Sequence, residues 1–558
     1  MNPHINILYS DSSYPLIERL LRVRGLSDPA TQEQFLNPRF DNSWISPWLL
    51  SDMVKAIERI IVAINRQEKI IIFGDYDADG VSSSYLLYDF FRTFLHYTHI
   101  SVQLPHRLED GYGIKSYHLD QIKEKGVSLV ITVDNGITSI TEALYAKHIG
   151  LDLIVTDHHQ SLIGEHGGIV IPDAYAVVNP QVSPDYPWKG LCGAGVAFKL
   201  IMALVERLEM KAELKMEVLN RYLPIVAIAT VADCVPLLSE NRLLVKRGLG
   251  LINSKHHHLP QSLLSFLDHF NLSSRSITSG DIGFIIGPRL NAAGRMLSAY
   301  QALYALMYTG DKQKIYLESL GELNTERKGV QDDMIKRAIQ ECSHEHQILQ
   351  FASDELHEGV IGIVAGRLTE QYYKPSVVYK IDHEKGIAVA SLRGPSYFSV
   401  IDMLYHVAPL LDRFGGHKQA GGLTVSIDKL NELQQELTIY CDRIITSEMM
   451  IKKTIVDTML YDYELTNESF HAVDALTPFG EGNREPLFLL PDVVIKHKQT
   501  MGKNGKSHLK LYTQIGSKIV EIISRNQGQT IDNYDIGSRY ELIVSHRWDG
   551  DGRRYLVI

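Results

Sequence analysis

From about residue 50 to 300 the hydrophobic pattern alternates short, β-branched apolar runs with longer amphipathic stretches. The runs at 69–73, 129–133 and 153–156 have the length and residue types of buried strands, and 81–94 and 140–149 carry apolar positions at helical spacing. Strands separated by helices predict βαβ units and a parallel sheet. Further helices are expected around 195–208 and 216–231. Residues 316–341 are polar and helix-permissive with both signs of charge interspersed, and predict a long exposed helix joining two domains. Beyond it, strands at 347–351, 376–379 and 387–391 and helices at 360–370 and 430–444 predict a second α/β unit, with a glycine-rich loop at 415–422. After the polar stretch 447–453, short alternating segments at 493–496, 508–512 and 540–544 predict a small β-barrel. The expected organisation is an N-terminal segment over 1–50, a first α/β domain over 51–310, a connecting helix over 311–345, a second α/β domain over 346–446 and a barrel over 447–558.

Composition narrows the class. A chain of 558 residues is longer than one core needs, and its 45% hydrophobic and 22% charged fractions are those of a soluble globular protein. No apolar run approaches the roughly 18–20 residues of a membrane span. The N-terminus lacks the basic-then-apolar pattern of a secretory signal, so the expected location is the cytoplasm. The cysteines at 192, 234, 342 and 441 lie far apart without a C-x-x-C pair, which excludes a disulfide framework and a thiolate zinc site. At a net charge of −10, a nucleic-acid binder must concentrate positive charge locally. The tail does so: from residue 495 onward it carries 11 Lys/Arg against 6 Asp/Glu.

The acidic excess upstream is clustered. Asp75, Asp77 and Asp79 directly follow the 69–73 strand, Asp134 follows the second, and Asp157-His158-His159 follows the third. Ligands of open α/β sheets collect beyond the carboxyl ends of parallel strands, so five carboxylates and two imidazoles converge on one edge. Like charges that close together need a compensating cation, since each raises the pKa of the next. Oxygen donors with one or two imidazoles suit Mg²⁺ or Mn²⁺, and a carboxylate shared between two ions is the arrangement that clamps phosphoryl transfer. Asp, Asn and Gly after a strand are also ordinary turn formers, so only the combination of the three segments points to a metal centre.

Candidate phosphate contacts lie downstream. Arg289 and Arg295 flank Asn291 and two small alanines, and the Arg fork bonds two phosphate oxygens at once. Ser391 and Arg393 stand at a strand end with the same character, although any of these arginines could pair with an internal acid. The 415–422 loop, with Gly416, His417 and Gly421, offers backbone N–H groups to an anion. In the tail, Lys496, Lys498, Lys503, Lys506, Lys510, Arg547, Arg553 and Arg554 interleave with Tyr512, Trp548 and Tyr555, a composition suited to single strands.

The ordered motifs Gly74-Asp-Tyr-Asp-Ala-Asp-Gly80, Asp134-Asn-Gly136, Asp157-His-His159, Val231-Ala-Asp-Cys-Val-Pro236, 287–295, 359–367 and 415–422 resemble the DHH phosphoesterase superfamily. Within it they are similar to the bacterial RecJ exonucleases. The resemblance covers about 70–425 and fits the tail less specifically. It implies a parallel-sheet DHH catalytic domain, a connecting helix, an α/β DHH-associated domain and an OB-like β-barrel. It implies two divalent cations, Mn²⁺ or Mg²⁺, held by Asp77, Asp79, Asp134, His158 and Asp233, with Asp134 bridging, Asp75 and Asp157 supporting, and His159 facing the scissile phosphate. It implies that Arg107 holds substrate phosphate, that Tyr112 lies against the nucleotide, and that Arg367 belongs to the substrate-binding motif 359–367. Phe73 stands where the pyrophosphatase branch has a ligand histidine, which argues against pyrophosphate as substrate.

The implied activity is 5′→3′ degradation of single-stranded DNA in repair and recombination, by a monomer working with single-strand-binding protein and a RecQ-type helicase. Two alternatives stay open from the residues alone: a DHH phosphodiesterase of short oligoribonucleotides or cyclic dinucleotides, and a DNA-binding replication accessory with a dead metal site.

Overall fold

The computed structural model describes residues 5–164, 167–502, 507–548 and 554–557, the side chains of Trp548, Arg554 and Tyr555 excepted. In the first domain five parallel strands lie in the order Ile100–Gln103, Lys69–Phe73, Val127–Val133, Asp152–Thr156, Ala176–Val178. Their near-continuous apolar sequence follows from burial on both faces. Ile70, Ile72, Leu129, Ile131 and Ile154 pack against the helices Met53–Asn65, Ala78–Thr93 and Gly193–Arg207. The alternate residues Ile71, Phe73, Val130 and Val155 pack against Ser116–Glu124 and Ile140–His148. Successive side chains leave a strand on opposite faces, so one run of five residues serves both layers.

The connecting helix spans Gly310–Glu341 and is not exposed all round. Leu317 and Leu320 pack on the core of the first domain, whereas Met334 and Ala338 pack on the core of the second α/β unit. Those residues repeat at i, i+3 and i+4, a narrow stripe that its many charges conceal.

The second unit holds a mixed sheet ordered Arg413–Gly416, Ala420–Ser426, Ile387–Arg393, Ser376–Asp382, Leu349–Ser353, in which only the last two strands run parallel. The expected glycine-rich loop is a β-hairpin: Gly415 pairs with Gly422 and Gly416 with Gly421.

In the C-terminal unit, Phe488–Met501, His508–Ile515, Lys518–Ser524, Arg554–Val557 and Arg539–Trp548 close on one another as a five-stranded barrel. The first residues of the chain belong physically to this unit. Ile5–Tyr9 pairs in parallel with Thr454–Met459, and Leu16, Leu20, Leu21 and Phe35 are buried in the same core as Leu460, Phe470 and Phe488.

Candidate metal centre and substrate cleft

The first motif divides its acids by direction. Asp77 caps the helix Ala78–Thr93, its Oδ1 accepting the N–H groups of Asp79 at 2.9 Å and Gly80 at 3.0 Å. Asp79, one turn in, faces the N-terminus of Gly193–Arg207 and accepts the N–H of Gly193 at 2.6 Å and of Ala194 at 2.8 Å. Both helix ends thus carry a carboxylate where their free N–H groups favour negative charge. Gly193 is obligatory there, since a Cβ would stand 2.5 Å from Cβ of Asp134. Asp134 leaves its strand at φ +63°, a left-handed conformation that Asp tolerates at a strand end.

Asp157 is saturated by its own surroundings. Its Oδ1 accepts the N–H of His158 at 2.7 Å and the His159 ring at 2.8 Å, and its Oδ2 accepts the N–H of Ile137 at 2.9 Å. Burial works to raise its pKa, but the bond and charge of His159 outweigh it and hold the carboxyl below its usual range. Burial likewise works to lower the pKa of His159, and Asp157 overrides it, lifting the imidazole to about 9.

The remaining donors meet at His158. Its Nε2 lies 3.1 Å from Oδ1 of Asp134, 3.6 Å from Oδ2 of Asp233 and 3.8 Å from Oδ2 of Asp79. Three overlapping groups result, Asp75–Asp77–Asp134, Asp79–His158–Asp233 and Asp134–His158–His159, each with ligand atoms within 4.8 Å of one another. Asp134 is common to two of them. Burial above all, with the charge of Asp77 adding to it, pushes the Asp75, Asp79, Asp134 and Asp233 carboxyls up. Oδ1 of Asp75, Oδ1 of Asp134, Oδ2 of Asp233 and Nε2 of His158 are buried without a hydrogen-bond partner among the described residues. Unpaired buried acceptors of this kind are costly without a cation, and the carboxylate-rich donor set fits Mg²⁺ or Mn²⁺.

Beside this cluster, a cleft of about 820 Å³ opens between the two α/β units. The Arg107 guanidinium lies over the Tyr76 ring at 4.7 Å. Arg295 donates to the Gly359 carbonyl at 2.9 Å, and Arg393 donates to the Ser391 hydroxyl at 3.0 Å. Among the described residues none of these three arginines forms an ion pair with a carboxylate. Burial, then the charge of Arg107, lowers the pKa of Arg393 and brings Arg295 down to about 10. Arg107 thus repels both of the others, and guanidiniums gathered around an open space suit an anion with several oxygens.

The chain matches three family models: "DHH family, N-terminal domain" over 69–230, "DHHA1 domain" over 345–442 and "RecJ OB domain" over 456–552. The single-stranded-DNA-specific exonuclease RecJ of Bacillus subtilis (strain 168) is 34% identical over 555 residues, spanning 98% of this chain and 67% of that one. RecJ of Haemophilus influenzae is 31% identical, spanning 90% and 87%.

The chain belongs to the RecJ family.

RecJ of Thermus thermophilus in complex with Mn²⁺ superposes with a TM-score of 0.80 at 25% identity, covering 100% of this chain and 79% of that one. Exonuclease RecJ bound to manganese gives 0.60 at 29%, covering 71% and 96%. The alternation of apolar runs that predicts a parallel sheet, and the expectation of a terminal barrel, therefore hold across this RecJ-family chain.

The structure does not bring every expected site residue to the cleft. Arg107, Tyr112, Arg295, Ser391 and Arg393 line it. The Tyr112 hydroxyl, however, donates to the Asp134 carbonyl at 3.2 Å and lies 3.0 Å from Nδ1 of His159, so it braces the acid cluster. Arg289 points away, donating to the Ile285 carbonyl and lying over Phe270 at 4.5 Å. Asn291 accepts the N–H of Ala78 at 2.8 Å and supports the first motif from behind. Arg367 pairs with Glu370 on the outer face of the helix Glu358–Tyr372, because residues 359, 362 and 366 of that helix face the cleft and 367 is rotated about 100° beyond. Gly416 and Gly421 stand opposite each other in the hairpin and His417 sits at its exposed turn, and none of the three lines the cleft.

Sequence reasoning missed the glycine stripe itself. A Cβ on Gly362 would stand 3.0 Å from the Ser391 hydroxyl and 3.2 Å from Arg393, and the spacing 359, 362, 366 on one helix was the signal available. It also missed the Gly193 and Ala194 amides, which no side-chain pattern announces. In the barrel, Lys510 pairs with Glu521 and Arg547 with Glu485, which reduces the expected basic surface. Lys503, Lys506, Arg553 and the side chains of Trp548, Arg554 and Tyr555 lie outside the described residues.

Proposed function

We propose that this protein is a metal-dependent exodeoxyribonuclease that degrades single-stranded DNA from its 5′ end. The observation that carries this reading is the adjacency of the buried acid–imidazole cluster to a cleft bearing three guanidiniums without acidic partners. Asp77, Asp79, Asp134, His158 and Asp233 would hold two ions, with Asp134 shared. Divalent cations bound there supply charge neutralisation at the phosphate and a water of lowered pKa. The protein supplies the rest. Arg107, Arg295 and Arg393, with the Ser391 hydroxyl, take a terminal phosphate and so fix the register of the strand. Asp157 keeps His159 protonated, and His159 directs that proton at the scissile phosphate. Tyr112 meets the same ring nitrogen of His159, Nδ1, that Asp157 holds, and so helps fix the ring.

Digestion of end-labelled single- and double-stranded DNA with Mn²⁺, Mg²⁺ or chelator tests this. The expected result is release of mononucleotides from the 5′ end of single strands only, abolished by chelator. Equal attack on duplex, or turnover in chelator, overturns it. The same reading assigns the chain to the cytoplasm as a monomer, served by single-strand-binding protein and a RecQ-type helicase. Fractionation, sedimentation and co-purification with each partner test those assignments.

A further inference from the structure

Asp233 is a proposed ligand whose carboxylate, like that of Asp134, has no hydrogen-bonding brace among the described residues. Asp77 accepts two backbone N–H groups and Asp79 two more, whereas among the described residues the Asp233 carboxylate accepts no hydrogen bond. Its aim therefore depends on its backbone. That backbone leaves the helix Ala212–Ala232, passes Cys234 at φ +56°, and reaches the helix Ser239–Asn253 through a short connection. Inside its own domain Asn241 donates to the Pro236 carbonyl at 3.0 Å, and the Cys234 thiol makes a weak bond to the Ala232 carbonyl.

The C-terminal unit steadies the rest. The N–H of Leu237 donates to the carbonyl of Glu481 at 2.8 Å. A Cβ on Gly480 would stand 2.6 Å from Cδ1 of Leu237, which is only 1% exposed. A Cβ on Gly482 would stand 3.2 Å from both Pro236 and Leu238. The turn at 475–483 is itself locked. Asn483, buried, donates to the carbonyls of Leu476 and Pro478, and Arg242 of the catalytic domain donates to those of Ala475 and Thr477. A rigid knuckle of the C-terminal unit thus lies flush against the peptide that carries Asp233.

We propose that this knuckle is a positioning element of the metal centre, acting through Gly480 and Leu237 on Asp233, so that the C-terminal unit sets metal affinity as well as offering a surface to DNA. The proposal rests on the reading of Asp233 as a ligand. Supporting groups around metal ligands change affinity by about 10–100-fold when disturbed.

The test is Mn²⁺ titration of the full-length protein, followed by the electron paramagnetic resonance signal of free Mn²⁺. Gly480→Val drives a wedge between knuckle and peptide, and weakens binding of one ion about tenfold. Its affinity for single-stranded DNA in chelator stays within about twofold of wild type, since no barrel residue is touched. Leu237→Ala in the same chain makes room for the valine and restores Mn²⁺ affinity toward wild type. Unchanged Mn²⁺ binding in Gly480→Val, or no recovery in the double variant, overturns the proposal. Should Gly480→Val fail to unfold cooperatively, Gly480→Ala with Leu237→Val repeats the test with a smaller wedge. Asp233→Ala separates the two readings: wild-type Mn²⁺ binding by that variant sinks the ligand assignment instead.

Discussion

The Oδ1 atom of Asp157 and the Nδ1 atom of His159 stand 2.8 Å apart, and the pair ties the end of one strand to an imidazole beside the acid cluster. The pair holds His159 at about 9 and its partner below the usual 3.8. A raised base stabilises the fold below its unfolded pKa and loses that contribution as pH climbs through the folded value. A depressed acid does the reverse, losing its contribution as pH falls. In the metal-free protein Asp157→Asn therefore moves the His159 titration from about 9 toward 6.5, and costs stability mainly between about pH 4 and 9. Proton NMR of the imidazole and urea unfolding across that range check both. A His159 titration unmoved by the substitution would show that some other group sets it.

Asp134 is expected to be worth more to function than to folding. Its carboxyl is held up by burial and by Asp79 and Asp77, so without metal Asp134→Ala relieves repulsion and leaves the melting temperature equal or higher. The same variant loses turnover on the order of 10³-fold or more. It also loses the metal-induced rise in melting temperature, which at 100 times Kd corresponds to about 2.7 kcal/mol in a binding-competent protein. Calorimetry with and without Mn²⁺ reads all of this at once, and a wild-type metal response would end Asp134's role as shared ligand.

Among the described residues Arg107 forms no ion pair, which leaves its guanidinium available to an anion in the cleft. Arg107→Ala should weaken engagement of 5′-phosphorylated oligonucleotides about tenfold or more, the worth of one charge-assisted bond of about 1.5–3 kcal/mol. Oligonucleotides with a 5′ hydroxyl should lose less. Steady-state kinetics on the two substrates decide it, and equal losses would make the residue structural.

Arg19 is fully buried, pairs with the equally enclosed Glu464, and donates to the Thr458 hydroxyl at 3.0 Å and the Met459 carbonyl at 3.1 Å. Arg19→Ala strands the Glu464 charge, a loss of about 3–5 kcal/mol for a broken buried pair. Denaturant unfolding should show it in the C-terminal unit, four hundred residues away in sequence. Deleting 447–558 should be worse, since it would uncover Leu16, Leu20, Leu21 and Phe35 rather than leave a tidy nuclease core.

Much of this was legible before any coordinates. Strand-length runs followed at once by acids placed Asp75, Asp77, Asp79, Asp134 and Asp157 on one sheet edge, because parallel topology leaves no other place for strand ends to go. What stayed hidden depends on partners remote in sequence. Nothing near Asn291 or Arg289 says that one supports the Ala78 amide and the other covers Phe270; both lie on a helix whose cleft-facing side only the fold defines. The 415–422 glycines read as a loop because glycine serves loops and tight hairpins alike. The stretch before residue 50 was opaque for the same reason: its strand Ile5–Tyr9 makes sense only beside Thr454–Met459.

That pairing has a price during synthesis. The segment containing Leu20 and Leu21 leaves the ribosome more than four hundred residues before those that shelter it. At about 5–20 residues per second the interval lasts tens of seconds, with greasy side chains awaiting their cover. Until then those side chains must be kept from other unfolded chains by something other than their final partners.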